Sequence, residues 1–184
     1  MNRVERLLQA YSKFVELPWD QHLAGAQRVW FAVHDKTDER RIRARLTEFE
    51  LATRRSDHEW LHVDLTNAFG EWLAHQEYRE SYFESPEDLD LLYPDFEAHV
   101  VNRVRQVMTS ERATGTSLVA VSGIACLFGF IRASALVKAI EGDIRGRLLV
   151  FFPGEYQDNN YRLLDARDGW NYMAVPILAA DGAD

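Results

Sequence analysis

GRLLVFFPGEY, residues 146–156, holds the most apolar run of the chain and decides the predicted fold. Its five consecutive apolar residues, 148–152, are stopped by Pro153-Gly154. A short apolar run bounded by glycine and proline is typical of a strand that is buried on both faces. Strands of this kind belong to parallel sheets that are covered by helices. The stretch therefore predicts a central strand, around which the other elements are layered.

Segments with strand and helix patterns alternate along the rest of the chain. Apolar runs predict the strands, and amphipathic stripes, caps and breakers predict the helices. The predicted strands are 29–33, 60–65 and 118–121, and the predicted helices are 3–16, 38–55, a segment after Asn67, 95–112 and 133–141. This alternation predicts an α/β fold with a mostly parallel sheet and helices on both faces.

The residues that follow the central strand favour a hairpin. Residues 161–164 and 172–178 have an extended pattern, and Asp168-Gly169 between them is a common turn pair. We expect these segments to form a C-terminal antiparallel hairpin at the edge of the sheet. Residues 181–184 are expected to form a frayed tail.

Size, charge and cysteine content restrict the class of protein. The chain has 184 residues, of which 47% are apolar and 27% charged, as in a globular domain. Its net charge of −8 argues against direct DNA binding. The single cysteine, Cys126, cannot form an internal disulfide and fits a reducing compartment. The N-terminal residues lack the apolar segment of a signal peptide, and no run is apolar enough to span a bilayer. We therefore expect a cytoplasmic protein that does not contact membranes.

Two neighbouring segments carry opposite charge. The predicted helix 38–55 and its flank hold seven basic residues against four acidic ones, whereas residues 76–99 hold eight carboxylates against Arg79 alone. The basic helix could contact an acidic protein or a phosphate backbone, or could pair with the acidic segment. Because the chain as a whole is acidic, a contact with a protein or a solvated face paired with the acidic segment is favoured over a contact with nucleic acid.

Two catalytic motifs are considered and set aside. His58-Glu59-Trp60-Leu61-His62 has the H-E-x-x-H spacing of zinc peptidases, but that spacing joins both histidines to one metal only on a helix. Here it lies in a predicted strand, where the two histidines are roughly 13 Å apart at ~3.3 Å per residue. The turn at Ser122-Gly123 has the position of a phosphate loop but lacks the following Lys-Ser/Thr. We expect no metal, no cofactor and no nucleotide hydrolysis.

The alternative to a binding protein is a metal-dependent hydrolase or nuclease. Its candidate residues are Asp35, Asp64 and Glu155, which follow three predicted strands and could converge at the carboxyl ends of a parallel sheet. The same carboxylates could instead cap the next helix or face water. Cys126 lies among apolar residues, so we expect a buried and inert thiol.

Aromatic residues are concentrated near the C-terminus, and two of them stand next to predicted turns. Tyr156 and Trp170 are therefore expected at a surface patch, where aromatic side chains often anchor protein contacts. Together with the basic helix, they give the predicted partner-binding set: Arg40, Arg41, Arg45, Tyr156 and Trp170. No catalytic residue is predicted.

The sequence also resembles a known family. SGIACLFGFIRASALVKAIE, GRLLVFFPGEY and NYRLLDARDGWNYMAVPI resemble the BrxB proteins of bacterial BREX (bacteriophage exclusion) defence systems, most strongly over residues 117–178. The resemblance implies a single BrxB-like α/β domain over residues 1–184. It also implies a cytosolic scaffold or adaptor, without catalytic activity, in a complex that protects the cell from phage. The implied partners are other BREX proteins, in particular PglZ, which is alkaline-phosphatase-like, and the ATPase BrxC; the adenine-specific DNA methyltransferase PglX is a further component.

Overall fold

The computed structural model describes residues 1–166 and 169–180. The helices are α1 (Arg3–Val15), α2 (Glu39–Ala44), α3 (Leu46–Arg55), α4 (Ala68–Ala74), α5 (Arg79–Glu84), α6 (Tyr93–Met108) and α7 (Ala133–Ile140). The strands are β1 (Val29–His34), β2 (Glu59–Asp64), β3 (Ser117–Ser122), β4 (Arg147–Gln157), β5 (Asn160–Leu163), β6 (Trp170–Asn171) and β7 (Val175–Ile177). Short 3-10 helices cover Gly25–Arg28, Lys36–Asp38, Pro86–Leu92, Ile124–Leu127 and Glu141–Asp143.

The strands form one mixed sheet, which confirms the α/β class. Its main order is β2-β3-β4-β1-β7, and every neighbouring pair in this order is parallel. The second half of β4 pairs antiparallel with β5, and β5 pairs antiparallel with β6. The strand predicted from the apolar run lies at the centre of this order, between β3 and β1.

Successive residues of β4 contribute to two separate hydrophobic clusters. Leu148, Val150 and Phe152 belong to the first cluster, together with apolar side chains of α4, α6 and α7. Leu149 and Phe151 belong to the second cluster, together with apolar side chains of α1, α2 and α3. Because side chains alternate between the two faces of a strand, the two clusters lie on opposite sides of the sheet.

The central strand continues past the glycine-proline boundary that stops the apolar run. β4 extends through Pro153 to Gln157, changing its partner from the parallel sheet to β5. The pairing with β3 ends at Val150, so β3 does not require the amide hydrogen that Pro153 lacks. The strand end that was expected at this point is therefore replaced by a change of partner along one strand.

The predicted hairpin is only partly correct. β5 pairs with the short β6, but β7, which falls within the predicted segment 172–178, pairs in parallel with β1 instead. The chain leaves the hairpin after Asn171. The hydroxyl of Tyr161 donates a hydrogen bond to the carbonyl oxygen of Ala174 at 2.7 Å, and this bond holds the segment that follows β6 against the core. Asp168 of the predicted turn and the predicted tail, 181–184, lie outside the described residues.

The predicted helix 38–55 is divided in two. Arg45 separates α2 from α3 with φ −115° and ψ 11°, outside the helical region. Ile42 and Phe49 are still buried in the second cluster, so both helices pack on the same side of the sheet. None of the helices in the described part of the chain has the length and apolar character needed to cross a bilayer.

Candidate functional site

A groove of about 650 Å³ lies between the segment that follows β3 and the C-terminal hairpin, with Phe152 of β4 in its lining. One wall is the loop 128–132, which follows β3 and leads into α7, and the other is the hairpin of β5 and β6. We call it the aromatic groove. Its lining includes Phe128, Phe130, Arg132, Phe152, Tyr161, Leu163 and Trp170. Its volume is within the range of ligand and peptide sites in proteins.

The aromatic rings behind the groove support one another. The ring of Phe31 stacks on that of Phe152 at a centroid distance of 5.1 Å and meets Tyr161 edge-on at 4.5 Å. Trp170 stacks on Tyr172 at 4.4 Å. Burial raises the pKa of both the Tyr161 and the Tyr172 hydroxyl, so both stay protonated at physiological pH. The hairpin wall is therefore built of aromatic rings that pack on one another.

The sequence of the hairpin explains its shape. Asp158 and Asn159 form the connection between β4 and β5, and both have positive φ, at 51° and 63°. Two such residues are what a tight two-residue turn between antiparallel strands requires. Gly154 faces the opposite strand so closely that a Cβ atom there would overlap the carbonyl oxygen of Arg162. The glycine therefore lets the backbones of β4 and β5 approach each other.

The structure brings the two predicted aromatic residues together. Tyr156 and Trp170 both contact Tyr161, with ring centroids 4.6 and 6.4 Å from it. Both are half-buried and pack against the first cluster, and Trp170 lines the aromatic groove. The hydroxyl of Tyr156 donates to Oδ1 of Asn159 at 3.0 Å, which ties it to the turn.

The three predicted arginines lie on the other side of the sheet. Arg40 and Arg41 are exposed on α2, which packs into the second cluster, and Arg45 follows at the end of that helix. Arg41 pairs with Asp38 at 3.0 Å, and Arg45 pairs with Glu48 at 2.6 Å. The predicted partner-binding set therefore occupies two places, one on each side of the sheet.

The strand-end carboxylates do not share a site. Asp35 follows β1 and Asp64 is the last residue of β2, and these two strands are separated by β4 and β3 in the sheet. Three strand spacings of ~4.8 Å place them roughly 14 Å apart. Glu155 pairs with Arg162 across the hairpin. In the described part of the chain, no group of three His, Cys, Asp or Glu side chains could hold a metal ion.

Each of these aspartates instead organises a local turn. Asp35 accepts hydrogen bonds from the amide and hydroxyl of Thr37, at 2.8 and 2.5 Å, and these bonds lower its pKa. Asp64 accepts the equivalent pair from Thr66, at 2.9 and 2.6 Å. Burial acts to raise the pKa of Asp64, but the two bonds from Thr66 and the charges of Arg43 and His62 together outweigh it and leave the pKa lowered. Asp35 thus caps the 3-10 helix Lys36–Asp38, which is the capping alternative, whereas Asp64 closes a turn before α4, whose N-cap residue is Asn67.

One polar contact was missed at the sequence level. Nε2 of His62 lies 2.8 Å from Oγ of Ser122, and the same hydroxyl lies 3.4 Å from Oδ1 of Asp64. The contact depends on the register that places Asp64 opposite Ser122 in β2 and β3, which local sequence does not reveal. Ser122 is only 1% exposed, so its hydroxyl cannot meet a substrate without a rearrangement. The arrangement joins two strands and lies outside the aromatic groove.

The H-E-x-x-H segment is a strand, as predicted. Glu59 begins β2 and His62 lies within it, while His58 precedes it. The ring of His58 stacks on Trp19 at 3.6 Å, and its Nδ1 lies 3.0 Å from the carbonyl oxygen of Thr116. The two histidines thus have separate structural contacts.

The turn after β3 packs closely against the segment that follows β2. Gly123 has φ 79°, and a Cβ atom there would lie 2.5 Å from the amide nitrogen of Thr66.

The prediction that Cys126 is buried is wrong, because the 3-10 helix Ile124–Leu127 turns Ile124 and Leu127 inward and leaves Cys126 exposed. Its pKa is raised, chiefly by partial desolvation.

Comparison with known proteins identifies a family. A family model described as "BREX protein BrxB" matches residues 62–177. No curated protein and no solved structure matches the chain. The matched range covers more than half of the chain and runs from within β2 to the end of β7, so it includes the aromatic groove and its hairpin. The chain belongs to the BrxB family of BREX defence proteins.

Proposed function

We propose that this protein is a non-catalytic adaptor that joins other BREX proteins into an anti-phage complex in the cytoplasm. PglZ and BrxC are the partners that we propose it contacts directly. Family membership supports the assignment to BREX. The observation that carries the adaptor role is the aromatic groove, because aromatic residues and arginine are the side chains that most often anchor protein contacts.

The chemistry of the strand ends supports a binding role over hydrolysis. In the usual α/β enzyme, polar groups at the carboxyl ends of parallel strands face a shared crevice. Here Asp35 and Asp64 each accept two hydrogen bonds from a threonine two residues later. The crevice at this end is lined largely by apolar side chains, with Arg132 as a charged group.

The groove suggests the chemistry of the segment that it binds. Phe128 is 46% exposed at its rim, and Arg132 is exposed at the N-terminus of α7. We propose that a partner inserts an apolar side chain against Phe128 and Trp170 and places a carboxylate near Arg132. A charge-assisted bond of this kind adds orientation to the apolar contact.

Co-purification with separately expressed PglZ and BrxC tests this proposal. Phe128→Ala should reduce capture of one partner by roughly tenfold or more, since interface anchors commonly cost this much. Leu51→Ala is the matched control, because Leu51 is also 46% exposed but lies on α3, on the other side of the sheet. Trp170→Ala should act like Phe128→Ala, provided that its circular dichroism spectrum and melting temperature match those of the parent protein.

Charge reversal tests the basic half of the predicted set separately. Arg40→Glu changes an exposed side chain for which no ion pair is present among the described residues, so it should leave the fold intact. Loss of a partner in Arg40→Glu would place that partner on α2, whereas loss in Phe128→Ala would place it at the groove. Retention of both partners by all of these variants would contradict the proposed contacts.

A further inference from the structure

Residues 76–92, which we call the acidic segment, cover α5 and the following 3-10 helix Pro86–Leu92. These two elements pack against each other. The segment carries six carboxylates, all of them exposed, against Arg79 as its single basic residue. The carboxylates are Glu77, Glu80, Glu84, Glu87, Asp88 and Asp90.

The negative charge of the acidic segment is not compensated by ion pairs in the part of the chain that the structure describes. Among the described residues, none of its six carboxylates forms an ion pair. The arginine-rich helices do not supply the missing charge, because Arg41, Arg45 and Arg54 pair with carboxylates on α1, α3, β2 and the turn before α2. The predicted pairing of the basic helix with the acidic segment is therefore not seen in the described structure.

The same segment exposes large apolar side chains. Tyr78, Phe83 and Leu91 are 64%, 69% and 83% exposed. Tyr82 and Leu89, in contrast, pack into the first cluster and fix the segment to the core. The exposed residues are therefore held on an anchored surface, where they stand in water between carboxylates.

We propose that the acidic segment docks a cationic amphipathic segment of another protein. Lysine or arginine side chains of that segment would meet the six uncompensated carboxylates, and its apolar face would cover Phe83 and Leu91. Apolar contact supplies the stability of such a complex, while complementary charge speeds and selects the encounter. The inference deepens the proposed adaptor function and rests on it for the identity of the partner as a BREX protein.

Charge also discriminates among the other possible occupants. Nucleic acid and anionic membrane surfaces carry the same sign of charge as the segment and are repelled by it. A second copy of this chain would bring its own net charge of −8 to the surface. In its basic helices only Arg40, Arg43 and Arg55 are exposed without an ion pair among the described residues, since Arg41 and Arg45 are paired with local carboxylates. A separate protein with an unpaired basic segment fits the surface better.

The acidic segment adjoins the aromatic groove through one aromatic contact. Tyr93, the residue directly after the 3-10 helix, meets Phe130 edge-on at a centroid distance of 5.4 Å. Phe130 lines the groove and also stacks on Phe69 of α4 at 4.3 Å. A partner docked on the acidic segment therefore lies next to the elements that build the groove.

A direct test uses a labelled peptide of leucine and lysine that forms roughly five turns of an amphipathic helix. Its binding to the full chain is followed by fluorescence anisotropy from about 50 to 300 mM NaCl. We expect saturable binding that weakens as salt rises. The control peptide, with every lysine replaced by glutamate, should not bind.

Two double variants separate the apolar and the charged contributions. Phe83→Ser/Leu91→Ser and Glu80→Lys/Glu84→Lys should each weaken peptide binding by roughly tenfold. The charge variant should also reduce the dependence on salt. The controls are Leu51→Ser and Glu16→Lys/Glu111→Lys, which change exposed residues of the same kinds outside the segment and should alter binding by less than about twofold.

Equal weakening by the control variants would overturn the inference, since the peptide would then be reading only the total charge of the chain. Absence of peptide binding would also overturn it.

The same variants are then tested for co-purification with PglZ and BrxC. If the parent chain assembles and both segment variants keep every partner, the docking inference fails while the adaptor function stands. If the parent chain captures no partner, the adaptor function fails whatever the peptide result. Light scattering that shows dimers dissociated by Phe83→Ser/Leu91→Ser would assign the surface to a second copy and overturn the proposal.

Discussion

Replacing Gly154 by alanine tests whether close approach of two backbones fixes the hairpin. The added Cβ would overlap the carbonyl oxygen of Arg162 and lie 2.9 Å from a ring carbon of Phe152. Backbone oxygen cannot rotate away, so β4 and β5 must separate. Overpacking costs about 1–3 kcal/mol, and each weakened ladder hydrogen bond adds about 0.5–1.5 kcal/mol. We therefore expect a loss of about 2–4 kcal/mol in the free energy of unfolding.

Gly70→Ala is the matched control for this experiment. Gly70 lies in α4, and a Cβ atom there would have no described atom within 4 Å. Alanine in a helix interior is more stable than glycine by roughly 0.5–1 kcal/mol, so this variant should gain stability.

Urea unfolding followed by tryptophan fluorescence measures both changes. With a slope of about 2 kcal/mol per M, Gly154→Ala should lower the midpoint by about 1–2 M, and Gly70→Ala should raise it by about 0.3–0.5 M. An unchanged midpoint for Gly154→Ala would refute the claim that this glycine sets the approach of the strands.

Three further predictions follow from single side chains. Arg147 is buried, lies over the ring of Trp19 at 5.1 Å and donates to two backbone carbonyls. Arg147→Met should therefore lower the free energy of unfolding, measured with urea, by about 1–3 kcal/mol. A variant as stable as the parent would show that these bonds contribute nothing. The bonds from Thr37 lower the pKa of Asp35, so its stabilising effect is complete above the unfolded pKa of about 3.9 and is lost as the pH falls through the lower folded value. The difference in urea midpoint between parent and Asp35→Ala should therefore be larger at pH 6 than at pH 2.5, and a difference that grows in acid would contradict this sign. Because Cys126 is exposed, a thiol reagent should modify it fully in the native protein, and because its pKa is raised, the modification rate should reach half of its maximum above about pH 8.5. Resistance to the reagent before unfolding would mean that the thiol is buried.

The sequence predicts those parts of the fold that depend on local pattern. The apolar run 148–152 identifies the central strand because burial on both faces leaves no polar position in it. The partner of β7 depends on where the chain goes after Asn171, which is decided by tertiary contacts such as the bond from Tyr161 to Ala174. Proline at position 153 looks like a strand end in sequence, but the structure shows that pairing with β3 has already stopped at Val150.

The candidate site shows the same division between local and tertiary information. Positions at strand ends can be read from sequence, but their distance depends on strand order, and β4 and β3 stand between Asp35 and Asp64. The contact of His62 with Ser122 depends likewise on the register of β2 and β3. The sequence predicts Tyr156 and Trp170 near turns, and the structure brings both to one buried tyrosine because the strand register pairs each of them directly with Tyr161.

The most direct test of the adaptor function is a three-component reconstitution, in which PglZ and BrxC are mixed with and without this protein and the masses of the complexes are measured by light scattering. The account predicts that a species containing both partners forms only when this protein is present, and that Asp64→Asn supports it as well as the parent chain does. If PglZ and BrxC associate equally well without this protein, or if neither binds it, the adaptor function is contradicted.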